Sequence, residues 1–239
     1  SDLRTLRKYN VIEETEKSWI KIDEKDYISL LKEEDKKKLH QLMAQCGEFS
    51  THELIRHVYR KYPYYAINSS ILDQHLNAKE IEIIMNYKPQ YDHQVLFSIG
   101  YEGIHIDEYL NKLTKNDIRL LCDVRKNAVS MKYGFSKNQL TYSLNELGIQ
   151  YLHIPELGIN SDKRKNLKTQ KDYDLLFEDY ENKHLVHHTE SLIQIMNLVE
   201  KHKRIALTCF EACYTQCHRS KITLAIQKSP EWKYEISHI

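Results

Sequence analysis

The sequence predicts an α/β protein: a Rossmann-like, mostly parallel sheet with helices on both faces over residues 95–239, preceded by a small helical domain over residues 1–90. Three observations predict it. From residue 95 onward, short apolar runs of strand character alternate with helical stretches, the pattern of a parallel sheet covered by helices. Before that point, apolar residues recur at helical spacing. Between the two, residues 86–94 (Asn-Tyr-Lys-Pro-Gln-Tyr-Asp-His-Gln) are polar and carry a proline, which marks a linker.

In the first part, Asp26 precedes Tyr27-Ile28-Ser29-Leu30-Leu31, and the apolar spacing continues through Leu39, Leu42 and Met43 to a stop at Gly47. Ser50-Thr51-His52-Glu53 is a capping box, in which the serine and glutamate satisfy each other's backbone N–H groups. The helix it opens carries Leu54, Ile55, Val58, Tyr59 and Tyr62 on one face and ends or kinks at Pro63. Asn77-Ala78-Lys79-Glu80 is a second box, opening Ile81-Glu82-Ile83-Ile84-Met85.

In the second part the strands are expected at Val95–Ile99, Ile118–Val124, Ile149–Ile154 and Arg204–Cys209, with a last one at Trp232–Ile236. Helices are expected from Ile106 to about Lys115, from Ser136 to Leu147, around 172–181, from Thr189 to Lys201, and from Cys217 through Ile226.

Composition narrows the function classes. The 239 residues are 41% hydrophobic and 29% charged with a net charge of +1, so any nucleic-acid footprint has to be a local patch. There is no run of eighteen apolar residues, so no transmembrane helix and no membrane partner are expected. The opening Ser1-Asp2-Leu3-Arg4 carries neither a methionine nor an apolar segment, and no secretory signal is read there. Of five cysteines, Cys209, Cys213 and Cys217 lie within nine residues, unlike a secreted disulfide framework; a reducing cytoplasm is expected.

Four of the expected strands end in residues that an apolar core would reject. These are Ser98 followed by Tyr101 and Glu102; Asp123 and Arg125; His153 and Glu156; and Cys209 and Glu211, with Cys217-His218-Arg219 six residues on. Parallel strands bring these ends to one edge, where such sheets bind ligands. In this reading Asp123 or Glu211 is the general acid/base and Cys217 or His218 assists. Arg125 and Arg219 hold an anion, with Tyr101, Glu102, His153 and Glu156 around the substrate. Plainer readings stand beside these. Asp123 and Arg125 can be an ion pair capping a strand, His153 a core histidine, Glu102 a cap, and Cys209 a small buried hydrophobe.

Cys217-His218-Arg219 is expected at a helix N-terminus, where free N–H groups favour an anion and, with Arg219, favour the Cys217 thiolate. Cys209, Cys213, Cys217 and His218 are also ligand types that suit zinc or iron, but the usual CxxC knuckles are absent; no metal and no cofactor are expected. Lys163–Lys171 is the basic run, a solvated loop or a hold on a polyanion, and Tyr133, Phe135 and Tyr142 could stack bases.

Four stretches together resemble the DUF488 family: Ser98-Ile99-Gly100-Tyr101-Glu102-Gly103; Asp123-Val124-Arg125; Leu147 through Gly158; and Cys209-Phe210-Glu211 through Cys217-His218-Arg219. The resemblance implies a compact α/β fold and a cytoplasmic protein and supplies no reaction. Cys213 is not part of the family pattern. Where many members carry further arginines, this chain has Lys126, Met131 and Lys132. Residues 46–66 resemble the helical region of SocA/Panacea-like antitoxin proteins, which implies a possible protein partner for the N-terminal domain. The function expected is an enzyme acting on a nucleotide or nucleic acid; the alternatives are a non-catalytic binding module and thiol chemistry at Cys217.

Overall fold

The computed structural model describes residues 2–16, 18–164 and 169–239. The chain divides into two compact units, Ser1–Lys61 and Tyr62–Ile239.

The first unit contains helices α1 (Asp2–Lys8), α2 (Glu33–Cys46) and α3 (Thr51–Lys61), together with an antiparallel pair, β1 (Ile12–Glu14) and β2 (Trp19–Lys21). This pair departs from the all-helical reading of the region. Asp26 does not open a helix either: its carboxylate accepts the N–H groups of Ile28 and Ser29, a local turn that competes with helix formation. The helix therefore starts only at Glu33. Gly47 ends α2 by donating its N–H to Met43 O at 2.7 Å, and the Ser50–Glu53 box opens α3. Among the described residues of this unit none is buried.

The second unit begins with three short helices, α4 (Pro63–Ala66), α5 (Leu72–His75) and α6 (Ala78–Met85). The Asn77–Glu80 box caps α6 in both directions at 3.0 Å. These helices bury Ala66, Ile67, Leu72, Leu76 and Ile84, and Tyr64 Oη donates to Asn111 O. The 86–94 stretch is anchored as well. Tyr91 takes a bond from Arg119 at its carbonyl and gives one to Asp117, and the Arg204 guanidinium lies 4.3 Å from its ring centre. Compactness thus divides the chain after Lys61, whereas the sequence reading puts a linker at 86–94.

The sheet has five parallel strands, β3 (Val95–Gly100), β4 (Leu120–Asp123), β5 (Gln150–His153), β6 (Arg204–Cys209) and β7 (Glu235–His238), in the order β5-β4-β6-β3-β7. Helices α7 (Ile106–Lys115) and α8 (Lys137–Glu146) cover one face; α9 (Gln170–Lys183), α10 (Thr189–His202) and α11 (Arg219–Gln227) cover the other. Strand alternation feeds both layers: Val95, Phe97, Ile99, Leu121 and Ala206 pack toward α7 and α8, and Leu96, Leu120, Cys122, Ile205 and Leu207 toward the other three.

Strand order matters for the site. In the common dinucleotide-binding arrangement the first strand of the sheet lies beside the second. Here the fourth strand of the sheet, β6, lies between the first and second. Register pairs Cys209 with Gly100 on one side and Thr208 with Asp123 on the other. The end of β6 is therefore central, with the ends of β3 and β4 beside it.

Candidate functional site

The end of β4 is held by a buried ion pair. Arg125 Nε donates to Asp123 Oδ1 at 2.8 Å and Nη2 to Oδ2 at 2.5 Å, while Nη1 donates to Tyr101 Oη and to Phe135 O. Four of the five guanidinium N–H groups are thus engaged. Asp123 also accepts from Tyr151 Oη at 2.7 Å and from the Arg125 backbone N–H, and is fully buried. These bonds with Asp123 and Tyr101 raise the Arg125 pKa despite burial. Burial and the Asp123 charge push the Tyr151 hydroxyl up. A carboxylate engaged this way is a structural strut, and the ion-pair reading of Asp123 and Arg125 describes the geometry.

Two histidines grip the same strand end. His153 Nε2 lies 2.9 Å from Arg125 O and His218 Nε2 lies 2.9 Å from Val124 O. A carbonyl only accepts, so each Nε2 carries the hydrogen. Tyr101 stacks on buried Phe135, with ring centres 4.2 Å apart. The remaining acidic residues serve neighbouring loops. Glu102 Oε2 accepts the Ala212 N–H at 3.0 Å, and Glu156 accepts from Ser191 Oγ at the start of α10. Glu211 is half-buried, and its carbonyl accepts Arg219 Nη2 at 2.5 Å.

Cys217, His218 and Arg219 are buried at the start of α11. An anion is expected at the N–H groups there; those of Ser220 and Lys221 are directed to Cys217 O and His218 O. Burial, joined by Cys209, works against a thiolate and pushes the Cys217 thiol up to about 11. Cys209 and Cys217 lie with their sulfurs 3.9 and 3.7 Å from His218 Nδ1, and Arg219 Nε points at Cys217 Sγ from 3.3 Å. Cys213 is outside this group, exposed and bonded to Thr215 Oγ1.

A cavity of about 670 Å³ opens over these strand ends. Its wall is the loop from Arg125 to Lys132, completed by Tyr101, Ile159, Asn160, Cys209, Phe210 and His218. Its lining carries Arg125, Lys126 and Lys132, and no carboxylate among the described lining residues. Asp123 and Glu211, expected to share one pocket, are not among them. Lining residues that the sequence reading did not assign to a site include Lys126, Asn127, Val129, Met131, Lys132 and Phe210; the available signal was an apolar side chain at every second position, Val129, Met131 and Tyr133, inside a polar loop. All three are largely exposed, and so is Tyr142, whereas Phe135 is buried. A larger groove of about 790 Å³ lies against α9, α11 and β7. Its Glu181 and Lys221 pair with each other at 3.1 Å, and none of the strand-end residues named above lines it. In the basic run, Lys163 pairs with Asp179 and Thr169 caps α9; residues 165–168 lie outside the described residues.

A family model described as "Domain of unknown function DUF488" matches residues 105–226, just over half of the chain. The chain belongs to the DUF488 family. Comparison with curated proteins and with solved structures gives no match. The DUF488 match spans β4, β5 and β6, the loop lining the cavity, and the Cys217-His218-Arg219 element. It begins after β3, so Tyr101 and Glu102 stand outside it. Among the described residues no helix is long and apolar enough to cross a membrane.

Proposed function

We propose that this DUF488 protein binds a nucleotide or a single-stranded nucleic acid in the cavity over the ends of β3, β4 and β6. The carrying observation is the lining: three cationic side chains without an acidic one, beside exposed apolar and aromatic side chains. Cations satisfy phosphates, and Phe210, 44% exposed at the rim, offers a face for a base. Lys126 is the leading phosphate contact, because it is exposed and forms no ion pair among the described residues, whereas Lys132 already donates to Tyr101 O and Arg125 is held by Asp123. Asp123 is committed to Arg125 and Glu211 does not line this cavity, so the described lining supplies no carboxylate for acid–base chemistry and the reading is one of binding.

The test is a titration with a nucleoside triphosphate and a short single-stranded RNA at low and moderate salt, followed by chromatography for product. Binding that weakens with salt and drops roughly tenfold or more in Lys126→Ala and Phe210→Ala supports the reading. Binding without product makes the protein a binding module. No binding of either probe at low salt removes the proposal.

A second reading concerns the first unit. With no buried residue among those described and Leu54 and Val58 of α3 exposed, it presents apolar surface suited to a protein partner, in line with the antitoxin-like resemblance of residues 46–66. Light scattering of the full chain in fresh extract should show a complex that Leu54→Asp with Val58→Asp does not form; a monomer in extract would remove this reading.

A further inference from the structure

The sequence reading expects no metal, because Cys209, Cys213 and Cys217 lack knuckle spacing. The fold changes the ligand set. It discards Cys213 and gathers Cys209, Cys217 and His218, whose ligand atoms all lie within 4.8 Å of one another and are all buried. We infer that these three side chains hold a divalent metal ion of the zinc class.

Four features carry the inference. The first is spacing. Zinc bonds of about 2.3 Å to sulfur and about 2.0 Å to nitrogen in a tetrahedron separate the ligand atoms by roughly 3.5–3.8 Å. The sulfurs stand 3.9 and 3.7 Å from His218 Nδ1 and within 4.8 Å of each other, so the three atoms come within about 1 Å of that spacing. The second is the histidine itself. Val124 O takes the hydrogen on Nε2, which turns Nδ1 toward the sulfurs; a backbone carbonyl on the far nitrogen is the usual support of a metal-bound histidine.

The third is charge. Arg219 is 1% exposed and forms no ion pair with a carboxylate among the described residues; its Nε points at Cys217 Sγ. A donor held on that sulfur is the outer support a metal-bound ligand uses, and loading the ion would release both thiol protons to solvent. The fourth is access. Cys209 and His218 also line the strand-end cavity. Three protein ligands leave one of the four positions of zinc for water or for a ligand entering from that side.

The experiment uses the full chain, reduced and stripped with a chelator, then titrated with cobalt(II) and back-titrated with zinc. The expected result is one cobalt per chain, with a sulfur-to-cobalt charge-transfer band and the strong visible bands of tetrahedral cobalt, both removed by zinc. Cys209→Ser and Cys217→Ser should lose the charge-transfer intensity, and Cys213→Ser should keep all of it. Thermal unfolding of the unmodified protein should move to higher temperature with zinc. If a variant fails to fold, the unmodified protein and Cys213→Ser still decide. No cobalt spectrum in the unmodified protein, a spectrum that survives Cys209→Ser, or one lost in Cys213→Ser overturns the inference. The nucleotide titration repeated on stripped protein separates this outcome from that of the binding proposal.

Discussion

At the scale of single residues, the site is governed by how completely a polar group is engaged. Asp123 and Arg125 are the clearest case, because the fully buried carboxylate and the nearly buried guanidinium face each other. Removing one partner leaves the other charged and unpaired in the interior, which costs about 3–5 kcal/mol. Asp123→Asn should therefore lower unfolding stability in urea by that order. Arg125→Ala should unfold the α/β unit at lower denaturant rather than only abolish ligand binding; an unchanged midpoint in either variant would contradict the strut role. The cysteines give a second prediction. The Thr215 hydroxyl holds the exposed Cys213 thiol below its usual value, while burial holds Cys217 well above it. Brief alkylation at neutral pH, mapped by mass spectrometry, should label Cys213 first and Cys217 only after denaturation. Early labelling of Cys217 would restore the thiol-chemistry reading.

At the scale of elements, close backbone approach sets the walls of the cavity. Gly100 closes β3 where a Cβ would stand 1.9 Å from Glu211 O, and at Gly158 a Cβ would stand 2.1 Å from the Lys126 backbone nitrogen. Neither contact is with a side-chain end that could swing away. Gly158→Ala should push the loop carrying Lys126 outward, cost about 1–3 kcal/mol of stability, and weaken nucleotide binding beyond what that loss explains. Nucleotide affinity equal to that of the unmodified protein would show that the loop tolerates the shift. Much of this scale was legible in the sequence: the capping boxes at Ser50 and Asn77 are both formed, and the expected strands of residues 95–209 correspond to β3 through β6. The hairpin at 12–21 was not, because three-residue strands carry too little periodicity to separate from a helix.

At the scale of the whole molecule, the division after Lys61 makes a prediction of its own. Residues 62–94 contribute buried Ala66, Ile67, Leu72, Leu76 and Ile84 to the second unit and tie Tyr91 to Asp117 and Arg119. Limited proteolysis should leave a stable fragment beginning near Tyr62. A fragment beginning near Val95, as the linker reading of 86–94 expects, would show that the short helices are dispensable. A polar, proline-bearing stretch can be fastened by hydrogen bonds to residues far away in sequence, and the proteolysis decides between the two boundaries.

The sequence by itself determined the alternation of strands and helices, the parallel α/β class, and which residues would stand at the strand ends, because these follow from local periodicity and from the direction of parallel strands. It also carried the DUF488 stretches. Only the tertiary structure decided what those strand-end residues do. Placing β6 between β3 and β4 set Cys209 centrally, and the packing of α11 turned His218 Nδ1 toward two sulfurs. Asp123 closed on Arg125, with both side chains buried. Strand order, burial and side-chain direction are long-range properties, and no window of neighbouring residues contains them.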